Sequence, residues 1–272
     1  MAGQRFMVIV DPTQASQPAF ERALQSALMC GAGLHLYTCV CRPPGLAEGE
    51  VHEASLERFR SEVEGSMHAL ASRVAAAGLE AGVEVGCAGD FRQEMVQAAA
   101  RVRADLVFKY AEPHSSVQRE QRETADWLLL RLSPCPVLMV KDRRDWSARR
   151  VLGAVNLGSH DLAHIKLNHQ VVSEAQRFAQ DFGAEAHFVS AYPDQNRAPD
   201  RHDFARLCGT DIARAHTRHG PAARVILEVA DAIGADLVMI GTVARSGLLG
   251  TVVGNTAERV LDESPADVMV LN

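Results

Sequence analysis

Long hydrophobic runs are missing from this sequence, and their absence argues against a membrane protein. No stretch approaches the roughly 20 apolar residues that a membrane-spanning helix needs. The apolar run at residues 6–10 is also too short for the core of a secretory signal peptide. We therefore expect a cytoplasmic protein without a membrane span.

An excess of basic charge is also lacking. The formal net charge is −6, whereas affinity for nucleic-acid phosphates needs a basic surface. The richest basic segment, residues 141–150, is interrupted by two aspartates and is typical of a solvated connector. No nucleic-acid partner is expected.

Several catalytic and metal-binding motifs are absent as well. There is no Gly-x-Ser-x-Gly, no phosphate-loop lysine and no Cys-x-x-Cys pair, so we predict neither catalytic residues nor a metal site. His160 and His164 have a spacing that can chelate a metal, but no carboxylate completes the set. We interpret them as surface residues, and we also expect His216 and His219 to be exposed.

What is present is an internal duplication. The Ala-Asp-Leu-Val segment at 104–107 recurs at 235–238, and the Ser-Pro pair at 133–134 recurs at 264–265, both 131 residues further on. We predict an N-terminal domain over 1–142, a linker over 143–148 and a C-terminal domain over 149–272. The long helix predicted for 50–79 has a short, loop-like substitute at 195–210.

Each half alternates apolar strands with helical segments. This order predicts an α/β fold with a doubly wound parallel sheet in each half, and the continuous apolar strands indicate sheets covered on both faces. In the first half the predicted strands are 5–10, 33–40, 83–87, 105–109 and 136–141, with helices at 16–31, 50–79, 91–102 and 121–132.

A glycine-rich segment follows the fourth strand of the second half and leads into a helix. Such a loop aims backbone N–H groups and a helix N-terminus at a phosphate. The spacing Gly241-x2-Ala244-x9-Gly254-Asn255-Thr256 resembles the ATP-binding signature of the universal stress protein family. Other segments along the chain, in both halves, resemble tandem members of that family, among them Asp11-Pro-Thr-Gln, Thr-Ala-Asp-Trp at 124–127 and the run at 249–258.

The resemblance implies a non-enzymatic stress-response factor with two five-stranded domains of strand order 3-2-1-4-5. It also implies that the two halves pack on each other as a pseudo-dimer through their last strands, with a further homodimer and unidentified protein partners left open. Its ligand would be ATP or another adenine nucleotide, with Mg²⁺ only if ATP binds. The nucleotide-binding residues predicted in the second half are Asn156, Gly241, Ala244, Arg245, Gly247, Gly250, Gly254, Asn255 and Thr256.

Two of these residues depart from the family pattern. Asn156 stands where the family has aspartate, and it keeps an acceptor while adding donors. Ala244 replaces a glycine and narrows the approach to a phosphate. Asn255 and Thr256 can either cap the following helix or contact the phosphate.

The first half keeps Asp11 but has lost the loop. The aligned loop positions there include Pro113 and Glu123, which remove a donor and repel a phosphate, so this half is not expected to bind ATP in the family mode. Asp11 is expected to cap the following helix. One alternative to nucleotide binding is a scaffold or regulatory module. Another is an apolar ligand held by the first half, although the same side chains are also typical of an ordinary hydrophobic core. The side chains considered for that apolar site are Phe91, Phe108, Tyr110 and Trp127.

Overall fold

The computed structural model describes residues 3–39, 50–86, 90–111, 125–141, 150–159, 161–242 and 255–272. The chain forms two compact units, built mainly from the residues up to 137 and from those after it. The predicted domain boundaries near 142 and 149 fall beside residues outside the described ranges and stay predictions.

The first half alternates strands and helices as predicted. Its strands follow the order β3-β2-β1-β4-β5, and the pairs β1–β2, β1–β4 and β2–β3 are parallel. Its elements are β1 (Arg5–Ile9), α1 (Pro18–Cys30), β2 (Gly33–Cys39), α2 (Glu50–Ala76), β3 (Ala81–Gly86), α3 (Phe91–Arg101), β4 (Leu106–Tyr110), α4 (Ala125–Leu132) and β5 (Val137–Val140).

The second half repeats this topology in the order β8-β7-β6-β9-β10, again with parallel pairs. The α/β fold and the strand order 3-2-1-4-5 are thus confirmed in both halves. The elements are β6 (Arg150–Ala154), α5 (Leu162–Phe182), β7 (Glu185–Tyr192), α6 (Arg201–Cys208), β8 (Ala215–His219), α7 (Ala222–Ile233), β9 (Leu237–Gly241), α8 (Asn255–Glu263) and β10 (Asp267–Leu271).

The strands form the core of each half. All four residues of β5 and all five of β10 are buried, as expected for strands covered on both faces. Val107 in the first half and Val238 at the matching position of the second are fully enclosed. The apolar runs in the sequence therefore mark strands rather than helices.

The duplication extends to side-chain contacts at the start of each sheet. In the first half the backbone N–H of Arg5 donates to Asp105 (2.8 Å), and the Arg5 guanidinium donates to a carbonyl at the end of α3. In the second half Arg150 donates in the same way to Asp236 (3.0 Å) and to the end of α7. The two halves are copies down to these hydrogen bonds.

One predicted element was wrong. The segment 195–210, expected to be loop-like, contains helix α6. Asp200 caps its start by accepting from the N–H of Asp203 (2.9 Å), and Gly209 ends it in the left-handed conformation (φ 59°). The cap residues were visible in the sequence, but the helix has only eight residues and is mostly polar, which makes it hard to tell from a loop.

Candidate functional site

A cavity of about 500 Å³ opens at the carboxyl ends of β6 and β9 in the second half. These strands are neighbours at the point where the strand order reverses, which is where doubly wound sheets bind ligands. The side chains that line it come from β6, α5, β7, α7, β9 and α8 and the residues that follow the strands. They are Ala154, Val155, Asn156, His164, Leu167, Asn168, Val171, Val189, Ala191, Ala222, Ile226, Ile240, Gly241, Thr242, Asn255, Thr256 and Ala257.

The lining divides into apolar and neutral polar parts. Aliphatic side chains such as Val171, Val189 and Ile226 come from the helices and strands, while amide and hydroxyl groups come from the ends of strands and from helix starts. Among the described residues of the lining, none is Asp, Glu, Lys or Arg. A mostly apolar cavity with a few convergent polar groups is typical of a small-molecule site.

Asn156 is held in place by a residue that sequence reasoning missed. Asn168, on α5, accepts the backbone N–H of Asn156 (2.9 Å) and donates to its carbonyl (2.8 Å). The Asn156 side-chain oxygen accepts from the N–H of Gly158 (3.0 Å), which closes a tight turn after β6. The backbone at the cavity edge is thereby fixed from two sides.

Asp11, at the matching position of the first half, has a similar role and does not cap a helix. Its carboxylate accepts from the N–H of Thr13 (2.9 Å), whereas α1 begins only at Pro18. The expectation that Asp11 caps the following helix was wrong, because several turn residues separate it from that helix.

Gly241 has a structural reason to be glycine. A Cβ placed there would lie 2.3 Å from Cγ of Leu167, which no packed structure tolerates. Leu167 on α5 therefore approaches the end of β9 across the missing side chain. The glycine admits a close helix–strand contact, whatever else it does for a ligand.

The start of α8 meets the same cavity. Asn255 and Thr256 are its first two residues, and both belong to the lining. A helix N-terminus presents unpaired N–H groups and a partial positive charge. Of the nine predicted binding residues, Asn156, Gly241, Asn255 and Thr256 are thus brought together. The other five lie outside the described residues: Ala244, Arg245, Gly247, Gly250 and Gly254.

The first half carries an ion pair at the equivalent place. Lys109 pairs with Ile9 in the sheet as Ile240 pairs with Ala154, so Lys109 and Ile240 hold the same position. The ammonium of Lys109 lies 2.6 Å from the carboxylate of Asp126, and the two side chains are 13% and 6% exposed. In the second half the matching residues are Ile240 and an alanine of α8, and both belong to the apolar part of the cavity lining.

Of the four aromatic residues predicted as candidates for an apolar ligand site, two belong to the core. Phe108 and Trp127 are 1% and 5% exposed, and the Phe108 ring packs on Phe6 with centroids 5.4 Å apart. Phe91 lies on the surface instead. Two of the four side chains thus serve the hydrophobic core, and an apolar ligand of the first half stays a prediction.

The histidines give one correction. His216 was expected to be exposed, but it is half-buried beside His187, with Nδ1 of His187 3.2 Å from Nε2 of His216 and the rings nearly parallel. Burial lowers the pKa of both histidines, that of His216 to about 4. His219 is exposed as predicted, and His160 lies outside the described residues. Within the described ranges, no three His, Cys, Asp or Glu side chains form a group that could hold a metal ion.

The helices of the described ranges also bear on the membrane question. None of them is both long and apolar enough to cross a bilayer.

Comparison with known proteins defines the class to which this fold and site belong. The model of the universal stress protein family matches residues 3–141 and 208–272, and the chain belongs to that family. It is similar to universal stress protein E of Escherichia coli (strain K12), 29% identical over 98% of this chain and 93% of the relative. A universal stress protein E homologue of Haemophilus influenzae is 33% identical over 61% of each chain.

Solved structures agree over the full length. A functionally unknown protein from Pseudomonas aeruginosa PAO1 is 30% identical with a TM-score of 0.76, covering 99% of this chain and 92% of its own. A universal stress protein from Archaeoglobus fulgidus, 17% identical with a TM-score of 0.77 over 98% of this chain and 96% of its own, shares the fold. The chain is therefore a tandem universal stress protein, and the resemblance seen in the sequence is confirmed.

Proposed function

We propose that this protein is a non-enzymatic, cytoplasmic stress-response factor that binds an adenine nucleotide in its second half. The observation that carries the proposal is the cavity of about 500 Å³ at the ends of β6 and β9, next to the start of α8. Its size falls within the range of about 300 to 1,000 Å³ found for small-molecule pockets.

The lining suits the two ends of a nucleotide. Aliphatic side chains offer a surface for a base, while the N-terminus of α8 offers N–H groups and a favourable field for a phosphate. The glycine loop predicted to cradle the phosphates connects β9 to α8. Magnesium would enter only together with ATP.

Asn156, which stands where the family has aspartate, can still bind a nucleotide but offers it different hydrogen-bonding groups. The side-chain oxygen is occupied by Gly158, so its amide N–H₂ is the group left for a ligand acceptor. An uncharged residue here also spares a phosphate the repulsion of a carboxylate. Tolerance of nucleotides with different phosphate numbers is the expected consequence.

Only one half is proposed to bind. Where the second half has the apolar wall residue Ile240, the first half has the Lys109–Asp126 ion pair. An adenine base would have to displace a buried ion pair there, at a cost of several kcal/mol. One nucleotide per chain is the proposed stoichiometry.

The test is direct. Gently purified protein is examined by intact-mass and absorbance measurements for bound nucleotide, and calorimetry then measures binding of ATP, ADP and AMP. We expect one site per chain, lost in Gly254→Glu, which copies the residue of the first half. Gln170→Glu is the matched control, because it adds the same charge at an exposed position of α5.

Two results would contradict the proposal. Protein without bound nucleotide that gives no heat with millimolar ATP, ADP or AMP would favour the alternative, a scaffold or regulatory module in which the glycine loop is only a helix-capping turn. Unchanged binding by Gly254→Glu would place the nucleotide elsewhere. Three further points stay predictions: the pseudo-dimer of the two halves, a further homodimer and the protein partners. Light scattering measures the oligomeric state and thus tests the homodimer.

A further inference from the structure

We infer that His164 recognises the phosphate of the nucleotide through its Nε2 atom. The inference rests on the proposed function, since it names the residue of that cavity that tells a phosphorylated ligand from an unphosphorylated one. His164 lines the cavity and is a residue for which the sequence suggested only a surface role.

Asp161 fixes the orientation of the imidazole. Asp161 is the N-cap of α5 and accepts the backbone N–H of His164 (3.0 Å), while its second carboxylate oxygen is bonded to Nδ1 of His164. The Asp161 side chain is exposed and is not part of the cavity lining. Because Nδ1 is engaged outside the cavity, the opposite edge of the ring, which carries Nε2, is the edge that meets the cavity.

Helix α5 places His164 at the cavity together with two other lining residues. His164 precedes Leu167 by three residues and Asn168 by four, so the three share one face of α5. Leu167 packs on Gly241 at the end of β9, and Asn168 binds the backbone that follows β6. His164 therefore lies one turn further out, above the gap between the two strand ends.

The local charges favour a phosphate as partner. Hydrogen bonds from the backbone and side chain of His164 lower the pKa of Asp161 to about 2, so its carboxylate is ionised at neutral pH. Nδ1 faces the Asp161 carboxylate and Nε2 would face a phosphate, so each ring nitrogen has an anionic oxygen as its hydrogen-bond partner.

No other charge competes inside the described part of the cavity. His164 is the single titratable side chain among the described residues of the lining, since β6, β7, β9, α7 and α8 contribute only apolar or neutral polar groups. Asp161 is therefore the one charged neighbour of the imidazole among the hydrogen bonds described.

The test compares ATP with adenosine, which lacks the phosphates. Calorimetry on the full chain measures both dissociation constants for the wild type, His164→Gln and Asp161→Asn, with His169→Gln as a matched control on the same helix. We expect His164→Gln to weaken ATP about tenfold, the scale of one charge-assisted hydrogen bond, and adenosine less than about twofold. The control should change neither.

A second measurement separates contact from structure. In ¹⁵N-labelled protein the imidazole nitrogens of His164 should shift on addition of ATP and not on addition of adenosine. Equal losses for both ligands, or an unchanged ATP-to-adenosine ratio in His164→Gln, would overturn the inference while leaving nucleotide binding intact. A wild type that binds neither ligand would overturn the proposed function, and the inference with it.

Discussion

The C-terminal ends of two matching helices, one in each half, differ in a single residue type. Helix α7 ends at Gly234, whose φ is 61°, and the matching residue after α3 is Arg103, whose φ is 52°. Left-handed backbone is costly for a side chain and free for glycine. The first half therefore carries strain that the second half avoids.

Arg103→Gly should stabilise the first half by about 1 kcal/mol, because it relieves that strain at an exposed position. Denaturant melting of the full chain measures the gain. Gly234→Arg is the reciprocal change and should cost a similar amount. A loss of stability in Arg103→Gly would mean that the arginine side chain contributes more than its backbone costs.

The ion pair of the first half gives a second prediction at this scale. Lys109→Ile alone removes the ammonium that lies 2.6 Å from the buried carboxylate of Asp126 and should destabilise the chain by about 3 kcal/mol or more. The double variant Lys109→Ile with Asp126→Ala copies the second half and should be less destabilised than the single one. Thermal unfolding of the wild type, Lys109→Ile, Asp126→Ala and the double variant in a double-mutant cycle checks this, and additive effects would contradict it.

At the scale of elements, the contact between α5 and β9 depends on one missing side chain. Gly241→Ala would push a methyl group into Leu167 and should cost about 1–3 kcal/mol, the range for an overpacked core. Adding Leu167→Ala makes room and should recover part of the loss in Gly241→Ala. Differential scanning calorimetry of both variants measures the effect, and Gly158→Ala, whose Cβ meets only an ordinary contact, is the control.

The β7–β8 pair gives a pH-dependent prediction. The pKa values of His187 and His216 are lowered chiefly by burial, so the unfolded chain takes up protons before the folded one does. The two histidines therefore do not reduce the free energy of unfolding above about pH 6.5, and they reduce it progressively as the pH falls towards 4. Allowing for partial exposure, we expect a loss of about 1–2 kcal/mol over that window.

The variant that checks this is His216→Gln, which keeps a hydrogen-bonding group and cannot titrate. Urea unfolding between pH 7 and pH 4 should show a smaller loss of stability than in the wild type, whereas His202→Gln, at an exposed position, should keep the wild-type slope. Identical slopes for all three proteins would show that the pair does not govern the pH response.

The helices and strands also show most clearly which parts of the structure the sequence predicts. Apolar runs and their alternation with helices predicted the five strands of the first half. The signal is strongest in strands such as β5, because burial on both faces leaves a continuous hydrophobic run. Helix α6 was missed because it is short and mostly polar. At the cavity, Asn156 and Gly241 were found through the resemblance to the family's ATP-binding signature. Asn168 and Leu167 were missed because the rotation of α5 decides which of its side chains reach that edge.

At the scale of the whole molecule, the same fold occurs twice with different side chains at the ends of its strands. The hydrogen bonds that start each sheet are the same in both halves, and so are the registers that align Lys109 with Ile240. The halves differ in the lengths of their helices and also at the carboxyl ends of the strands, where the first half has the Lys109–Asp126 ion pair. We expect divergence there to leave folding intact while it removes one of the two nucleotide sites.

This asymmetry predicts where a nucleotide stabilises the chain. Hydrogen exchange with saturating ATP should slow around β6, the start of α5 and α8, and leave β1, α1 and α4 unchanged. At a ligand concentration of 100 times Kd, the added free energy of opening reaches about 2.7 kcal/mol for segments whose opening releases the ligand. Gly254→Glu should abolish the effect without altering exchange in the free protein elsewhere. Slowing in both halves would show that the first half also binds, and that its Lys109–Asp126 pair opens to admit a ligand.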